Sequence, residues 1–323
     1  MRKCQFQKRE LSMNKTIFLA SLFVGVLAAD PTLAATPETS PSTISLAQAI
    51  VEDPGHPGIV TAIWAPATGN GLGLIVISHG TGAGPTAHID TAQALANAGF
   101  VVAAPMHTGD NFQDDASVGK PQWFVDRSRH VSKVVDYMLG QWGGRSRIDP
   151  NRIGMFGMSA GATTALIVAG GELDLARVTD QCKTQPEFVC QIMAPTDPNA
   201  PAVKFVRDKR IAAEVLAAPG LGFAFAPQTL ENVKVPVQLW VGSADQTVPY
   251  ATNAALVRSK LGPDVEFHTV ENAVHLSFLA PCGPEINAVI CKDNPGFDRS
   301  AFHEKFNQSI VGFFKAKLSG KAK

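Results

Sequence analysis

Short runs that are apolar on almost every residue recur along this chain, and stretches with helical spacing separate them. Leu72 to Ser78 (LGLIVIS) and Phe100 to Pro105 (FVVAAP) show no alternating polar face. A strand of that kind must be buried on both sides, which a parallel sheet covered by helices provides. Gly58 to Trp64, Arg152 to Phe156, Ile211 to Ala217, Val235 to Val241 and Val265 to Val270 read as further strands. Helical spacing fits 86–98, 122–141, 160–169, about 251–261 and about 301–317. On 122–141, Phe124, Val131, Val134, Val135 and Met138 share one face. The expected fold class is therefore α/β, a mostly parallel central sheet with helices on both faces. In such sheets the chemistry sits at the carboxyl ends of the strands.

The 323 residues suffice for one sizeable core, and 45% of them are apolar while 17% are charged, which suits a compact enzyme. Basic and acidic side chains number 28 each, so the net charge is zero. That balance argues against nucleic acid or an anionic membrane surface as a partner. At the N-terminus, Lys15 precedes the apolar run Ile17 to Ala29 and the small residues of Thr32-Leu33-Ala34-Ala35. This reads as a signal peptide over 1–34, with Met13 as a second candidate start. The run is short for a membrane span; an uncleaved anchor is the rival reading. The expected location is periplasmic or secreted, with no stable membrane insertion after cleavage. Residues 35–56, rich in Pro, Thr and Ser, read as an irregular lead-in to one α/β domain over 57–320. Residues 171–209 break the alternation with two cysteines, prolines and scattered charge, and read as a cap insertion.

Cys4 would leave with the signal peptide, and Cys182, Cys190, Cys282 and Cys291 remain. An even count in an oxidising compartment suggests disulfides. Three pairings are possible, and the two short loops favour Cys182–Cys190 and Cys282–Cys291. A zinc site is the rival, but neither C-x-x-C nor H-E-x-x-H occurs. No metal and no cofactor are expected.

Gly157-Met158-Ser159-Ala160-Gly161 matches G-x-S-x-G between an apolar strand and a small-residue helix. A sharp strand-to-helix turn there exposes the serine hydroxyl, and the flanking glycines let strand and helix approach. A serine needs a base, and the base an orienting acid, which follow such an elbow in the order acid, then histidine. Three histidines lie downstream. His268 falls inside the last strand and His303 in the closing helix, where a surface or packing role is expected. His275 follows the last strand and is the candidate base. Asp245 follows Val235 to Val241 and is the candidate acid; Asp197 and Glu231 compete but follow no strand end. The loop His79-Gly80-Thr81-Gly82 follows another strand. Its Thr81 N–H and the Ala160 N–H are the candidate oxyanion donors. Gly80, Gly82 and Gly84 also suggest a dinucleotide loop, but Pro85 stands where the last glycine belongs and no acidic residue ends the next strand. Phe223 and Phe225, after Ile211 to Ala217, are candidates to line an acyl pocket.

The segments VISHGTGAGPT, LANAGFVVAAPMH, RIGMFGMSAGA, VPVQLWVGSADQTVP and ENAVHLSFLAPC resemble predicted dienelactone hydrolases and the platelet-activating-factor acetylhydrolase branch of the α/β-hydrolases. The resemblance covers about residues 57 to 318. It implies a cofactor-free ester hydrolase with Ser159 as nucleophile, Asp245 as acid, His275 as base, and Thr81 and Ala160 as oxyanion donors. Dienelactone hydrolases carry a cysteine at the elbow where this chain has Ser159, so the lactone of the family name does not transfer. The expected substrate is a small-molecule carboxylic ester, short-chain or lactone-like. Two other readings stand beside it: a serine peptidase or amidase, which uses the same triad, and a non-catalytic binding module, which would lack a triad member.

Overall fold

The apolar runs become the centre of one eight-stranded sheet in a computed structural model that describes residues 44–193, 203–226, 228–283 and 289–319. The strands are β1 (Ile44–Val51), β2 (Ile59–Pro66), β3 (Leu72–Ser78), β4 (Phe100–Pro105), β5 (Ile148–Met158), β6 (Ile211–Ala217), β7 (Val237–Gly242) and β8 (Glu266–Val270). Their order across the sheet is β1-β2-β4-β3-β5-β6-β7-β8. From β4 to β8 every pairing is parallel; β1 and β2 add an antiparallel margin. The expected signal peptide over 1–34 and the competing acid Asp197 lie outside the described residues.

One expectation is corrected at the sheet margin. The lead-in expected to be irregular over 35–56 contains β1, paired with β2 from Ile44–Pro66 to Val51–Ile59. Only Val51 of β1 is buried, so this edge strand shows almost none of the apolar signal that marks the central ones.

Helices α1 (Ile89–Asn97) and α6 (Arg299–Lys317) cover one face, where Leu95, Phe306 and Phe314 pack on Phe100 and Phe156. Helices α2 (Trp123–Gly140), α3 (Ala160–Ala169) and α5 (Ala254–Leu261) lie with the core of the other. Every residue of α3 is buried, which explains its small side chains: it is sealed between β5 and α2. In the insertion, α4 (Leu175–Thr184) and the turn Phe188–Gln191 are tied by the Cys182–Cys190 disulfide. A second disulfide joins Cys282 to Cys291. No described helix is long and apolar enough to cross a membrane.

Four histidines are sealed in this core. Burial holds His79 and His130 down to about 3 and His88 to about 4, and it keeps His107 well below the usual imidazole value. In the unfolded chain each returns to an ordinary value near 6.5. Between those values the unfolded chain binds more protons than the folded one, so stability is full above pH 6.5 and lost as pH falls toward the folded values. The urea midpoint should therefore drop steadily as pH is lowered from 6.5 toward 4, with a slope of more than one proton. A midpoint that is flat from about pH 7 to 5 would contradict the neutral, buried state of these rings.

Candidate active site

Ser159 sits between the end of β5 and the start of α3 with φ 55° and ψ −120°. That conformation is unfavourable for any residue with a side chain and persists only when its surroundings enforce it. Here they do. Ser159 N–H donates to Ala217 O at 2.9 Å, and Ser159 O accepts from Ala162 N at 2.9 Å. A Cβ on Gly161 would overlap Ser78 O, and one on Gly157 would overlap Gly161 O. The two glycines thus let α3 start directly against β3 and β5, and the serine hydroxyl is turned out of the chain.

The loops after β7 and β8 lock onto each other. Ser243 N–H donates to Val270 O at 2.9 Å and Ala244 N–H to Ala273 O at 3.1 Å. A Cβ on Gly242 would overlap Ala273 O, so glycine permits the contact. This brings Asp245 and His275 together from 30 residues apart: Nδ1–H of His275 donates to Asp245 Oδ2 at 2.7 Å. Nε2 of His275 lies 2.9 Å from Ser159 Oγ. Asp245 Oδ1 accepts from Thr247 N and Val248 N, both at 2.9 Å, which fixes the carboxylate. Both side chains are buried. Glu231 precedes β7, in the turn Leu230–Asn232, and so stands at the opposite end of that strand from Asp245. His268 stacks on Trp240 at 4.0 Å and pairs with Glu266.

His303 packs rather than lying at the surface, and it does more than fill space. It is buried, with Nδ1 2.6 Å from Asp90 Oδ2 and Nε2 2.9 Å from Ser277 O. Ser277 Oγ donates to Asp293, which Arg299 holds. Helix α6 therefore braces the turn that carries His275.

Thr81 and Ala160 line the same cavity as Ser159. Their N–H groups meet no acceptor among the described residues. Gly80 brings its loop against Ser159: a Cβ there would stand 3.5 Å from Ser159 Cβ. Beneath this loop lies a buried ion pair that the sequence reading missed. Asp110 Oδ2 accepts from Arg127 Nη1 and from Trp123 Nε1, each at 2.5 Å. Its Oδ1 accepts from Gly82 N at 2.7 Å. Arg127 also donates to His79 O, to Ser78 Oγ at 3.2 Å and to Thr164 Oγ1 at 3.0 Å. Thr164 in turn donates to Ala160 O at 2.7 Å. One guanidinium thus ties the loop holding Thr81 to the helix start holding Ala160. Its sequence signal was a lone cation on the apolar face of 122–141, three residues after Phe124 and four before Val131. The neighbouring imidazoles complete the layer. His79 Nδ1–H donates to Gly80 O at 2.7 Å while its Nε2 accepts from His107 N at 3.2 Å, which the neutral ring satisfies. Among the described residues no group of His, Cys, Asp and Glu could hold a metal ion.

The cavity beside Ser159 has a volume of about 770 Å³. Phe223 and Phe225 do not line it, which corrects the expected pocket residues. After β6 the chain turns at Ala218 and Leu221, both at positive φ, and Gly220 and Leu221 face the cavity instead. The following turn Gly222–Ala224 carries Phe223 inward, and Phe225 bridges to Leu173 in the core.

The strand order and the elbow give the chain the α/β-hydrolase fold. The model of the dienelactone hydrolase family matches residues 59–179, from β2 through the elbow into α4, and marks a hydrolase of the dienelactone hydrolase kind. No curated protein matches the chain.

Removing one partner of a buried ion pair leaves the other charge uncompensated, at a cost of about 3–5 kcal/mol. Arg127→Met should lower the unfolding free energy by about that amount in urea titration. A loss below about 1 kcal/mol would show that the pair does not hold the loop.

Proposed function

We propose that this protein is a serine esterase that works through an acyl-enzyme, with Ser159, His275 and Asp245 as its triad. The observation that carries the reading is the continuous line from Ser159 Oγ to His275 Nε2 at 2.9 Å and from His275 Nδ1 to Asp245 Oδ2 at 2.7 Å. Neutral His275 takes the Ser159 proton as Oγ attacks the ester carbonyl carbon. The carbonyl oxygen becomes an oxyanion and receives the N–H groups of Thr81 and Ala160, which are held in place before the reaction begins. His275 then passes its proton to the departing alcohol. Water, deprotonated by the same ring, attacks the acyl-enzyme, and collapse returns Ser159 with release of the acid. Asp245 keeps the Nδ1 proton on its side, so the free nitrogen faces Ser159.

The fold and the family match support hydrolysis in general; the ester rests on the serine, the open oxyanion donors and the neighbouring cavity. Export to a periplasmic or extracellular space belongs to the same proposal. Two disulfides support it, because such bonds persist in oxidising compartments.

Turnover of p-nitrophenyl acetate tests the reading. Ser159→Ala should remove nearly all activity, leaving only what binding and the oxyanion donors supply. Asp245→Asn should lower kcat by roughly three to four orders of magnitude, as expected when the orienting carboxylate is lost. Wild-type turnover in Ser159→Ala would rule out the nucleophile. A loss under about tenfold in Asp245→Asn would rule out that acid.

A further inference from the structure

The cavity beside Ser159 is walled mainly by carbon. Phe188, Val189 and Ile192 come from the insertion, Leu279 and Ile290 from the segment after His275, and Phe112 from the segment between β4 and α2. Three of these large apolar side chains are also open to solvent: Phe112 is 66% exposed, Phe188 46% and Ile290 47%. Scattered exposed hydrophobics are ordinary, but three at the mouth of one cavity mark a surface that something apolar covers. The cavity runs unbroken from these residues to Ser159, Thr81 and Ala160, so the covering molecule is the one whose ester reaches the serine.

The charges narrow its chemistry further. No Lys or Arg lines the cavity among the described residues. Apart from His275, the titratable lining residue is Glu187, whose Oε2 accepts from Asn253 Nδ2 at 2.8 Å. A carboxylate or phosphate on the substrate would meet no cation there and would face that acid. Burying such an unpaired charge is costly.

Each apolar wall is also stapled. The Cys182–Cys190 bridge closes the loop that carries Phe188 and Val189. The Cys282–Cys291 bridge ties the stretch after Leu279 to the turn that carries Ile290. Facing apolar walls across an open cleft would gain by collapsing onto each other. Each bridge closes its own short loop, which limits how far the apolar side chains on that loop can move. A volume of about 770 Å³ also exceeds what an acetyl group needs and suits a ligand of many heavy atoms.

We infer that the substrate is an uncharged ester with an extended apolar portion, and that Phe188, Ile290 and Phe112 grip this portion between the two disulfide-tied walls. This deepens the esterase reading and rests on it.

The test compares kcat/KM across two neutral series, p-nitrophenyl acetate to octanoate and ethyl to octyl acetate. A third arm uses the p-nitrophenyl monoester of suberic acid, which matches the octanoate in length but ends in a carboxylate. At least one neutral series should rise by about tenfold or more with length, since each buried methylene favours binding. The suberate ester should fall about tenfold or more below the octanoate. Phe188→Ser and Ile290→Ser should each cut the turnover of the favoured long ester at least about fivefold more than that of its two-carbon counterpart. Both positions are half open to solvent, so the folded state tolerates the change. Flat profiles in both series, equal turnover of suberate and octanoate, or variants that scale long and short esters alike would each overturn the inference. Failure to cleave any ester, acetate included, would instead defeat the esterase reading itself.

Discussion

The site depends on how closely α3 begins against the sheet. Ser159 holds a backbone conformation that few residues adopt, and the contacts of Gly157 and Gly161 with their neighbours make it possible. That single junction sets the hydroxyl outside the sheet, leaves the Ala160 N–H free at the head of α3, and points both into one cavity. Every other part of the site is arranged around it. The loops after β7 and β8 deliver Asp245 and His275, and the loop after β3 delivers Thr81.

The buried layer beneath the loop is what turns proximity into a fixed arrangement. Arg127 spans the loop holding Thr81 and the start of α3 through His79 O and Thr164, and Asp110 neutralises it while holding Gly82 N. The buried neutral imidazoles of His79, His107 and His130, and the His303 brace on the His275 turn, show the same use of buried polar groups. Such groups are unfavourable unless their partners are met, and here they fix the geometry of the loops that face the cavity.

Much of this was legible in the sequence because the relevant signals are local. Leu72 to Ser78, Phe100 to Pro105, Ile211 to Ala217 and the helix 160–169 fall where their apolar runs place them, since buried elements write their burial into composition. The elbow is readable because its two glycines are needed within five residues. Asp245 and His275 are readable because each follows a strand end. What escaped was non-local. β1 is mostly exposed and is defined by its pairing with β2. The Arg127–Asp110 pair joins side chains from different segments, and only the oddity of a cation on an apolar face hinted at it. Phe223 and Phe225 looked like pocket residues because they follow a strand end. The positive φ of Ala218 and Leu221 turns the chain, so that Gly220 and Leu221 face the cavity instead. That turn is set by contacts which composition does not encode.

The central claim is that Ser159 is the reactive nucleophile because its surroundings activate it. Labelling the folded protein with a fluorophosphonate and mapping the adduct by peptide mass spectrometry tests this directly. The account predicts a single adduct on Ser159, formed far more slowly in His275→Ala, whose hydroxyl lacks its base. An adduct on another residue, no adduct on the folded wild type, or equal labelling rates with and without His275 would contradict it.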